Sequence, residues 1–440
     1  MRNISYFCIV KHLNIFFRGF FLLIFAIIVT LTYAKERNDS LQLAMNQVEI
    51  SLITCGPGEE VWSLYGHTAI RITNLTTGED IVVNYGMFSF KQPYFIPRFI
   101  FGRTDYQMGI ESFDDFITEY SQEGRYVIQQ PLDISAEGKW NILRAIATNY
   151  LPQNRTYRYN FFYDNCTTRA RDMLTDNCIG IVSYPTSAGH GQSYRTLIHK
   201  MNSAHLWARF GNDLLLGCQA DKICTQEESQ FLPLFLMADM QNAIIKESGT
   251  GAHRLTKSTY FLLPPQGMDK ASKVIFSELI KLSAQSLDKT KFNSSTSIQK
   301  ELLSPKAVFT LLLFVTVLLA IYERKSNRYV WLFDTVLYAV TGIAGLLLLF
   351  MIFSKHPTVQ VNWQILTLNP LWLVFLCPMI RSIKNKDIYH YRRWAILMAV
   401  LIIMSVLLSL AFYQKFAEGI YILALILLIR LSTPLLIKKT

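Results

Sequence analysis

The segment YRYNFFYDNCTTRARDML, residues 157–174, places one cysteine between an aromatic run and a predicted helix. Cys166 directly follows Asp164 and Asn165, two residue types that favour the position before the first turn of a helix. The unpaired N–H groups at a helix N-terminus carry partial positive charge, which lowers the pKa of a thiol there and can stabilise an oxyanion. The local sequence leaves three interpretations of Cys166 open: a nucleophile, a packed thiol or half of a disulfide.

A nucleophilic thiol needs a base, and the five histidines between residues 35 and 301 are the candidates. His67, in LYGHTAIRI, stands at the start of an alternating strand that would fix its imidazole, and Gly66 gives the backbone room. His190, in AGHGQSYR, lies on a glycine-flanked loop that suits binding, catalysis or a plain turn. We expect His67 to be the base and keep His190 as the alternative. The others fall in helical patterns or a loop: His199, His205 and His253.

The net charge of +11 would suit a nucleic-acid-binding protein, but its distribution excludes that class. Residues 35–301 hold 26 Lys and Arg against 28 Asp and Glu, whereas the two ends hold 17 basic and 4 acidic residues. The basic excess therefore flanks apolar runs and forms no face for a phosphate backbone.

Apolar runs occupy both ends of the chain. Residues 1–34 combine Arg2, Lys11 and Arg18 with FFLLIFAIIVTLTYA, which is typical of a secretory signal peptide, an uncleaved anchor being the alternative. Five runs near the length that crosses a bilayer follow later. They are Ala307–Tyr322, Val330–Phe353, Trp363–Ile380, Trp394–Phe412 and Ile420–Ile437.

The charges of the connectors predict the orientation of these runs. ERKSNR, RSIKNKDIYHYRR and the terminal KKT together hold ten Lys and Arg, whereas SKHPTVQVN and YQKFAEG hold one Lys each. The positive-inside rule places the first set in the cytoplasm, so everything before Pro305 lies outside it. Asp334, Asn369 and Arg430 lie in or near the spans and are functional candidates, unless the charged pair snorkels to the membrane surface.

An exported domain meets an oxidising compartment, which favours disulfides. Cys218 and Cys224, in CQADKIC, are the best disulfide candidates, and Cys55 with Cys178 is a second possible pair. If both pairs form, Cys166 remains as the one free thiol of the five cysteines in the exported domain. Metal ligation is disfavoured because no CxxC or HxxxH spacing occurs, and no cofactor is expected.

The coarse pattern predicts an α+β domain followed by an all-α membrane domain. Val48–Cys55, His67–Thr73 and Ile81–Asn84 are predicted strands, the last two forming a hairpin. Predicted helices are Phe113–Ser121, Glu137–Tyr150 and Thr167–Leu174. The domain boundaries follow: signal or anchor 1–34, exported domain 35–283, polar linker 284–304 and membrane domain 305–440.

Several segments, in this order, resemble the Lnb-type bacterial lipoprotein N-acyltransferase family: YGHTAIRI, VNYGMFSF, GRTDY, EGRYV, YRYNFFYDNCTTR, GHGQSYR and LLLGCQAD. The five trailing runs resemble its C-terminal membrane region. The resemblance implies a circularly permuted papain-like (NlpC/P60-like) thiol fold, in which histidine precedes cysteine, as it does here. It implies Cys166 as nucleophile, His67 as base, a membrane phospholipid as acyl donor and diacylated lipoproteins as acceptors. It also implies a multi-pass protein of the inner membrane whose catalytic domain is periplasmic.

The third catalytic group and the substrate-binding residues are less determined. Asn84 or Tyr85 beside His67 would orient the imidazole, and Asn165 would either cap the helix or contribute to an oxyanion site. Some charged residues match family segments and would hold a phosphate headgroup or simply form ion pairs. They are Arg71, Asp105, Arg125 and Arg195. The aromatic run Tyr157–Tyr163 would line an acyl channel or pack in the core.

Two other functions fit the same residues. The first is a periplasmic thiol hydrolase, either a phospholipase or a cell-wall amidase or peptidase, with water or a peptide as partner. The second is a non-enzymatic, membrane-tethered binding module in which Cys166 is structural. The reactivity of the Cys166 thiol distinguishes enzyme from module.

Overall fold

The computed structural model describes residues 39–89, 93–185, 189–203, 205–247, 251–265, 303–385, 387–412 and 414–436. The predicted signal or anchor, residues 1–34, lies outside the described residues, as does the linker up to residue 302. The domain boundaries stay predictions.

A seven-stranded antiparallel sheet is the centre of the first domain. Its strands are β1 (Val48–Cys55), β2 (His67–Asn74), β3 (Asp80–Met87), β4 (Asp105–Ser112), β5 (Val127–Pro131), β6 (Thr156–Arg158) and β10 (Tyr260–Leu263), in the order β10-β5-β1-β2-β3-β4-β6. The three predicted strands and the β2–β3 hairpin are confirmed. A smaller sheet joins β7 (Ile181–Ser183), β8 (Ile244–Glu247) and β9 (Gly251–Arg254).

Helices cover both faces of the large sheet. They are α1 (Phe95–Ile100), α2 (Phe113–Gln122), α3 (Ala136–Tyr150), α4 (Cys166–Thr175), α5 (Tyr194–Met201), α6 (Leu206–Leu215), α7 (Gln226–Ser229) and α8 (Pro233–Gln241), with a 3-10 turn at Cys218–Asp221. Alternate residues of β1 point to opposite sides, as a strand requires. Leu52 joins the core under α3, α4 and α8, whereas Ile53 joins Phe116 of α2. Both faces of β1 are buried, which is why apolar residues occur at both even and odd positions of VEISLITC.

The second domain is a helical bundle. It comprises α9 (Pro305–Ser326), α10 (Trp331–Ile352), the short α11 (Pro357–Gln360), a 3-10 turn (Trp363–Leu366), α12 (Leu371–Lys384), α13 (Ile388–Ala411) and α14 (Ile420–Leu436). By length and composition, four described segments are long and apolar enough to cross a membrane, and α14 is a shorter apolar helix. A span count of five therefore stays a prediction.

The third predicted span, Trp363–Ile380, lies in a described segment long and apolar enough to cross a membrane, but it is not one continuous helix. The chain breaks at Thr367–Pro370, where Asn369 accepts from the Leu371 N–H (3.1 Å) and donates to the Leu366 carbonyl (2.7 Å). An Asn-Pro pair disfavours a continuing helix, because Pro lacks an N–H and restricts the residue before it. Asn369 is a local cap at this break.

Arg430, Glu323 and Asp334 form a fully buried ion triad in the bundle. Arg430 donates two hydrogen bonds to each carboxylate, at 2.6 and 3.0 Å to Glu323 and 2.6 and 2.9 Å to Asp334. The triad joins α14 to the end of α9 and the start of α10. Neither Asp334 nor Arg430 snorkels, because each has its partner inside the protein.

Hydrogen bonds connect the two domains directly. The N–H groups of Gly217 and Cys218 donate to the carbonyls of Thr358 and Val361, both at 2.8 Å. On the other side of the junction, the Lys355 N–H donates to the Phe101 carbonyl at 3.1 Å. These bonds dock the first domain onto the ends of the helices.

Candidate active site

His67 is the first residue of β2, and its backbone position depends on the glycine before it. Gly66 has φ +82°, and a Cβ there would lie 2.6 Å from the Cys55 carbonyl oxygen. Only glycine combines this conformation with such a close approach. The turn therefore delivers His67 to the sheet in register with Cys55.

Cys166 is the first residue of α4, and its three neighbours build the start of that helix. The Asn165 side-chain oxygen accepts from the N–H groups of Thr167 (2.8 Å) and Thr168 (2.9 Å). Thr168 Oγ1 accepts from the Asn165 N–H at 2.9 Å, which completes a capping box. Thr167 Oγ1 accepts from the Thr68 hydroxyl at 3.1 Å, which ties the helix to β2. The motif NCTT thus fixes the thiol beside the strand that carries His67.

A hydrogen-bonded relay runs from the thiol into the sheet. The His67 imidazole lies close enough to the Cys166 thiol for each group to shift the pKa of the other, and its Nε2 lies 2.9 Å from Asn84 Oδ1. Asn84 Nδ2 in turn donates to the Glu111 carboxylate. Ala69 pairs with Asn84 across β2 and β3, so His67 is the diagonal neighbour of Asn84 on the same face. The register of the sheet thus assembles Cys166, His67, Asn84 and Glu111.

The relay shifts the pKa values of both reacting groups. Burial raises the pKa of Cys166. The charge and contact of His67, with contributions from Thr68 and Thr167, lower this pKa by more than burial raises it, so the net shift is downward. Burial lowers the pKa of His67, but the Cys166 charge and hydrogen bond and the Asn84 bond outweigh this effect. Both shifts favour a thiolate–imidazolium pair, the reactive form of a thiol nucleophile.

We expect iodoacetamide to modify Cys166 with a pH midpoint below that of an ordinary thiol. Only the thiolate reacts, so the rate rises as pH rises through the lowered pKa. His67→Ala removes the lowering interactions while burial remains, so the midpoint should move upward. Cys55 is the internal control, because it is fully buried and burial raises its pKa to about 12. Peptide mass spectrometry measures both rates, and a Cys166 no faster than Cys55 would contradict the ion pair.

Glu111 was not among the residues predicted from sequence. As a carboxylate it can only accept, so it holds the Asn84 amide with Nδ2 toward itself and Oδ1 toward His67. Burial and then the Glu119 charge raise the pKa of Glu111, whereas the Asn84 bond lowers it. Glu111 therefore has the geometry of a positioning residue.

Glu111→Ala should lower turnover about 10- to 100-fold, because His67 loses its orientation. It should also raise the pH midpoint of Cys166 alkylation, which a merely structural role would leave unchanged. Glu111→Gln keeps an acceptor oxygen and should retain most activity. Glu137→Ala is the matched control, since Glu137 is an exposed carboxylate of the same domain outside the cavity lining. An unchanged alkylation midpoint in Glu111→Ala would exclude a positioning role.

The relay opens into a cavity of about 700 Å³. Its lining includes the carboxylates of Glu59, Glu60, Glu111, Glu119 and Glu123, with Arg125 as the one Lys or Arg among the described lining residues. The N–H of Cys166 has no hydrogen bond in the described part of the chain, whereas those of Thr167 and Thr168 are taken by Asn165. A free N–H at the nucleophile can donate to an oxyanion.

The structure decides between the three candidates for an accessory role. Asn84 bonds to His67, but the Tyr85 hydroxyl donates to Asn149 of α3 at 3.0 Å, so Tyr85 does not orient the imidazole. An oxyanion role for Asn165 is not supported. Its amide donates to the carbonyls of Phe161 (2.8 Å) and Phe231 (2.9 Å), and its oxygen caps the helix.

Of the five predicted substrate-binding residues, only Arg125 lines the cavity. It donates to the Gly56 carbonyl and to Glu123, both at 2.8 Å. Arg71 is held by Asp80, Asp105 by Arg98 and Arg158, and buried Arg195 by Asp213 and Asp221. Those three residues form structural ion pairs, and exposed His190 is also outside the cavity lining.

The predicted Cys218–Cys224 disulfide is absent, since both thiols are free in the structure. Cys224 is buried in the aromatic cluster around Tyr194, whereas Cys218 sits on the 3-10 turn bonded to the second domain. The two thiols therefore lie in different surroundings despite their short separation in sequence. Cys55 and Cys178 are also free. No cluster of three metal-ligating side chains occurs within the described ranges.

Two family models match the chain. The Lnb N-terminal periplasmic domain matches residues 35–197, and the Lnb transmembrane domain matches residues 297–440. Together they cover more than two thirds of the sequence, in the order in which the two domains occur here. No curated protein and no solved structure matches the chain.

Proposed function

The chain belongs to the Lnb family, with a periplasmic domain followed by a transmembrane domain, and we propose that it is a lipoprotein N-acyltransferase of the bacterial inner membrane. It moves an acyl chain from a membrane phospholipid, through a thioester on Cys166, to the N-terminal amine of diacylglyceryl-cysteine lipoproteins. The observation that carries this proposal is the Cys166–His67–Asn84 relay beside the cavity.

In the first step, the Cys166 thiolate attacks an ester carbonyl of the phospholipid. The free N–H of Cys166 stabilises the resulting oxyanion. As the C–O bond breaks, the His67 imidazolium gives its proton to the departing lysophospholipid oxygen. A thioester and a neutral imidazole remain.

In the second step, the N-terminal amine of the lipoprotein attacks the thioester. Neutral His67 takes the proton of the amine, the C–S bond breaks, and the thiolate–imidazolium pair is restored. A thioester retains enough reactivity to acylate an amine, which suits a thiol to this role. No cofactor is needed for the balance of the reaction.

The charge of the cavity supports an amine as the acceptor. Five carboxylates face one arginine there, and Arg125 is already paired with Glu123. Such a lining attracts an ammonium group by electrostatic complementarity.

We interpret the first domain as a permuted papain-like thiol fold. Three features support this: the nucleophile begins a helix, the histidine lies on a strand earlier in the chain, and an asparagine orients the histidine. The orientation with the first domain on the periplasmic side follows from the connector charges and agrees with the description of the family.

The test is the chemistry of lipoprotein N-termini in cells whose only copy carries Cys166→Ala. The proposal requires those N-termini to keep a free amine, measured by mass spectrometry of lipopeptides. Full N-acylation would overturn it.

A further inference from the structure

A second cavity, of about 350 Å³, lies between the two domains. Its walls are mostly apolar and come from the loop before β2 (Val61 and Trp62), from the aromatic run (Phe161 and Phe162), and from the second domain (Met351, Val359). We call it the chamber. Its volume is within the range of pockets that hold small molecules.

The chamber adjoins the cavity of the relay. Trp62, Tyr65, Phe88, Tyr106, Tyr159 and Phe161 line both spaces. The two spaces are therefore neighbours, with these aromatic side chains between them. Its position next to the cavity of the thiol distinguishes the chamber from an unrelated surface groove.

The polar atoms around the chamber do not make it a polar site. The Tyr65 hydroxyl accepts from the side-chain amides of Asn202 (3.3 Å) and Asn212, so its acceptor capacity is used. Burial lowers the pKa of His356, which favours the uncharged imidazole. The chamber thus has no described charged side chain among its lining residues.

The residues that the second domain contributes to the chamber lie at the predicted outer surface of the membrane. Met351 lies in the last turn of α10 and Val359 in α11, where the positive-inside rule places the outer membrane surface. Phe101 packs edge-on against Phe350 of α10, with ring centroids 6.2 Å apart. Nearby Tyr94 and Phe99 expose 81% and 45% of their surface, as aromatic side chains at a membrane interface do.

We infer that the chamber binds one fatty acyl chain of the phospholipid donor, so that the second domain forms a wall of the active site. The inference rests on the proposed function. A thioester on Cys166 leaves a long hydrocarbon chain attached at the relay until the acceptor arrives, and that chain requires an apolar place next to the thiol. The chamber is such a place, and it opens where a donor chain leaves the bilayer.

Val359→Phe, which narrows the chamber, tests the inference by chain length. Transfer from dipalmitoyl phosphatidylethanolamine in detergent micelles should fall about tenfold or more, whereas transfer from the dioctanoyl lipid should change little. The matched control is Val340→Phe, at an exposed position of α10. Iodoacetamide modification of Cys166 reports whether the relay is intact. The inference would be overturned if Val359→Phe left transfer from both lipids unchanged, or if it lowered transfer from both lipids by the same factor.

A binding measurement keeps the inference testable if Val359→Phe misfolds. In a Cys166→Ser background, the thiol introduced by Val359→Cys is modified with a maleimide and followed by peptide mass spectrometry. Dipalmitoyl phosphatidylethanolamine should slow this modification several-fold without any turnover. The inference would be overturned if a diacylglyceryl-cysteine peptide slowed the modification and the phospholipid did not, or if neither ligand slowed it. If the phospholipid gives no protection but Cys166→Ala still loses N-acylation, the proposed function stands and only the assignment of the chamber is withdrawn.

Discussion

Cys166→Ala is expected to abolish lipoprotein N-acylation, with a loss of at least about 10³-fold. Without the thiol no thioester forms, and removal of the nucleophile from a relay that acts as a unit eliminates most of its catalysis. His67→Ala should cost about 10²- to 10⁴-fold, the usual contribution of a general base. Lipopeptide mass spectrometry in cells that carry each variant as the only copy measures both losses.

Cys218→Ala is the matched control, because Cys218 is in the same domain but outside the cavity lining. It should support normal N-acylation. The purified protein distinguishes transfer from hydrolysis. Fatty acid released from phospholipid at the same rate with and without a lipopeptide acceptor would favour the thiol hydrolase instead.

Arg430→Ala is expected to destabilise the protein by about 3–5 kcal/mol. The substitution leaves the carboxylates of Glu323 and Asp334 buried together, with no cation to offset their desolvation. Arg430→Lys should recover only part of the loss, since an ammonium cannot bond both carboxylates in pairs as the guanidinium does. Thermal unfolding in detergent and the amount of protein in membranes measure the effect.

Two further variants separate loss of charge balance from loss of packing. Arg430→Met combined with Glu323→Gln and Asp334→Asn has no buried charge and should restore much of the stability. Arg392→Ala, at an exposed position of α13, should change stability by less than about 0.5 kcal/mol. If the triple variant is as unstable as Arg430→Ala, charge burial is not the cause.

The elements that carry Cys166 and His67 could be predicted because their signals are local. VEISLITC and HTAIRIT have strand composition, and Asp-Asn before Cys166 is a cap signal, which the structure confirms at Asn165. The Asn-Cys-Thr-Thr pattern could not be interpreted residue by residue. Thr167 bonds to Thr68, 99 positions earlier, and such a contact depends on how α4 packs on β2.

Glu111 was missed although a signal for its strand existed. In DYQMGIES the apolar residues Tyr106, Met108 and Ile110 alternate with other residues, as a strand requires. The choice of Asn84 over Tyr85 needed the register, because adjacent strand residues point to opposite faces. Spacing alone gave no sign that Arg71 and Arg195 already had carboxylate partners, each from another segment.

The membrane runs were visible from composition, but their interruption and their role at the junction were not. The break at Thr367–Pro370 lies in a run that is apolar on average. The chamber consists of residues from five separate parts of the chain, and no single segment signals it. A cavity between two domains depends on how the domains dock against each other, and the hydropathy of the sequence does not indicate this.

The backbone bonds from Gly217 and Cys218 to the segment around Thr358 hold the first domain, and the thiol with it, in a fixed position relative to the ends of the membrane helices. Peptide groups make these bonds, and position 217 requires glycine because a Cβ there would overlap the Val361 carbonyl. In the proposed reaction, an acceptor amine tethered to the membrane by its own lipid would stay within reach of the thiol, whereas the N-terminus of a soluble protein would rarely reach it. Acceptors would then be selected by their distance from the membrane, with no requirement on the sequence after the acylated cysteine.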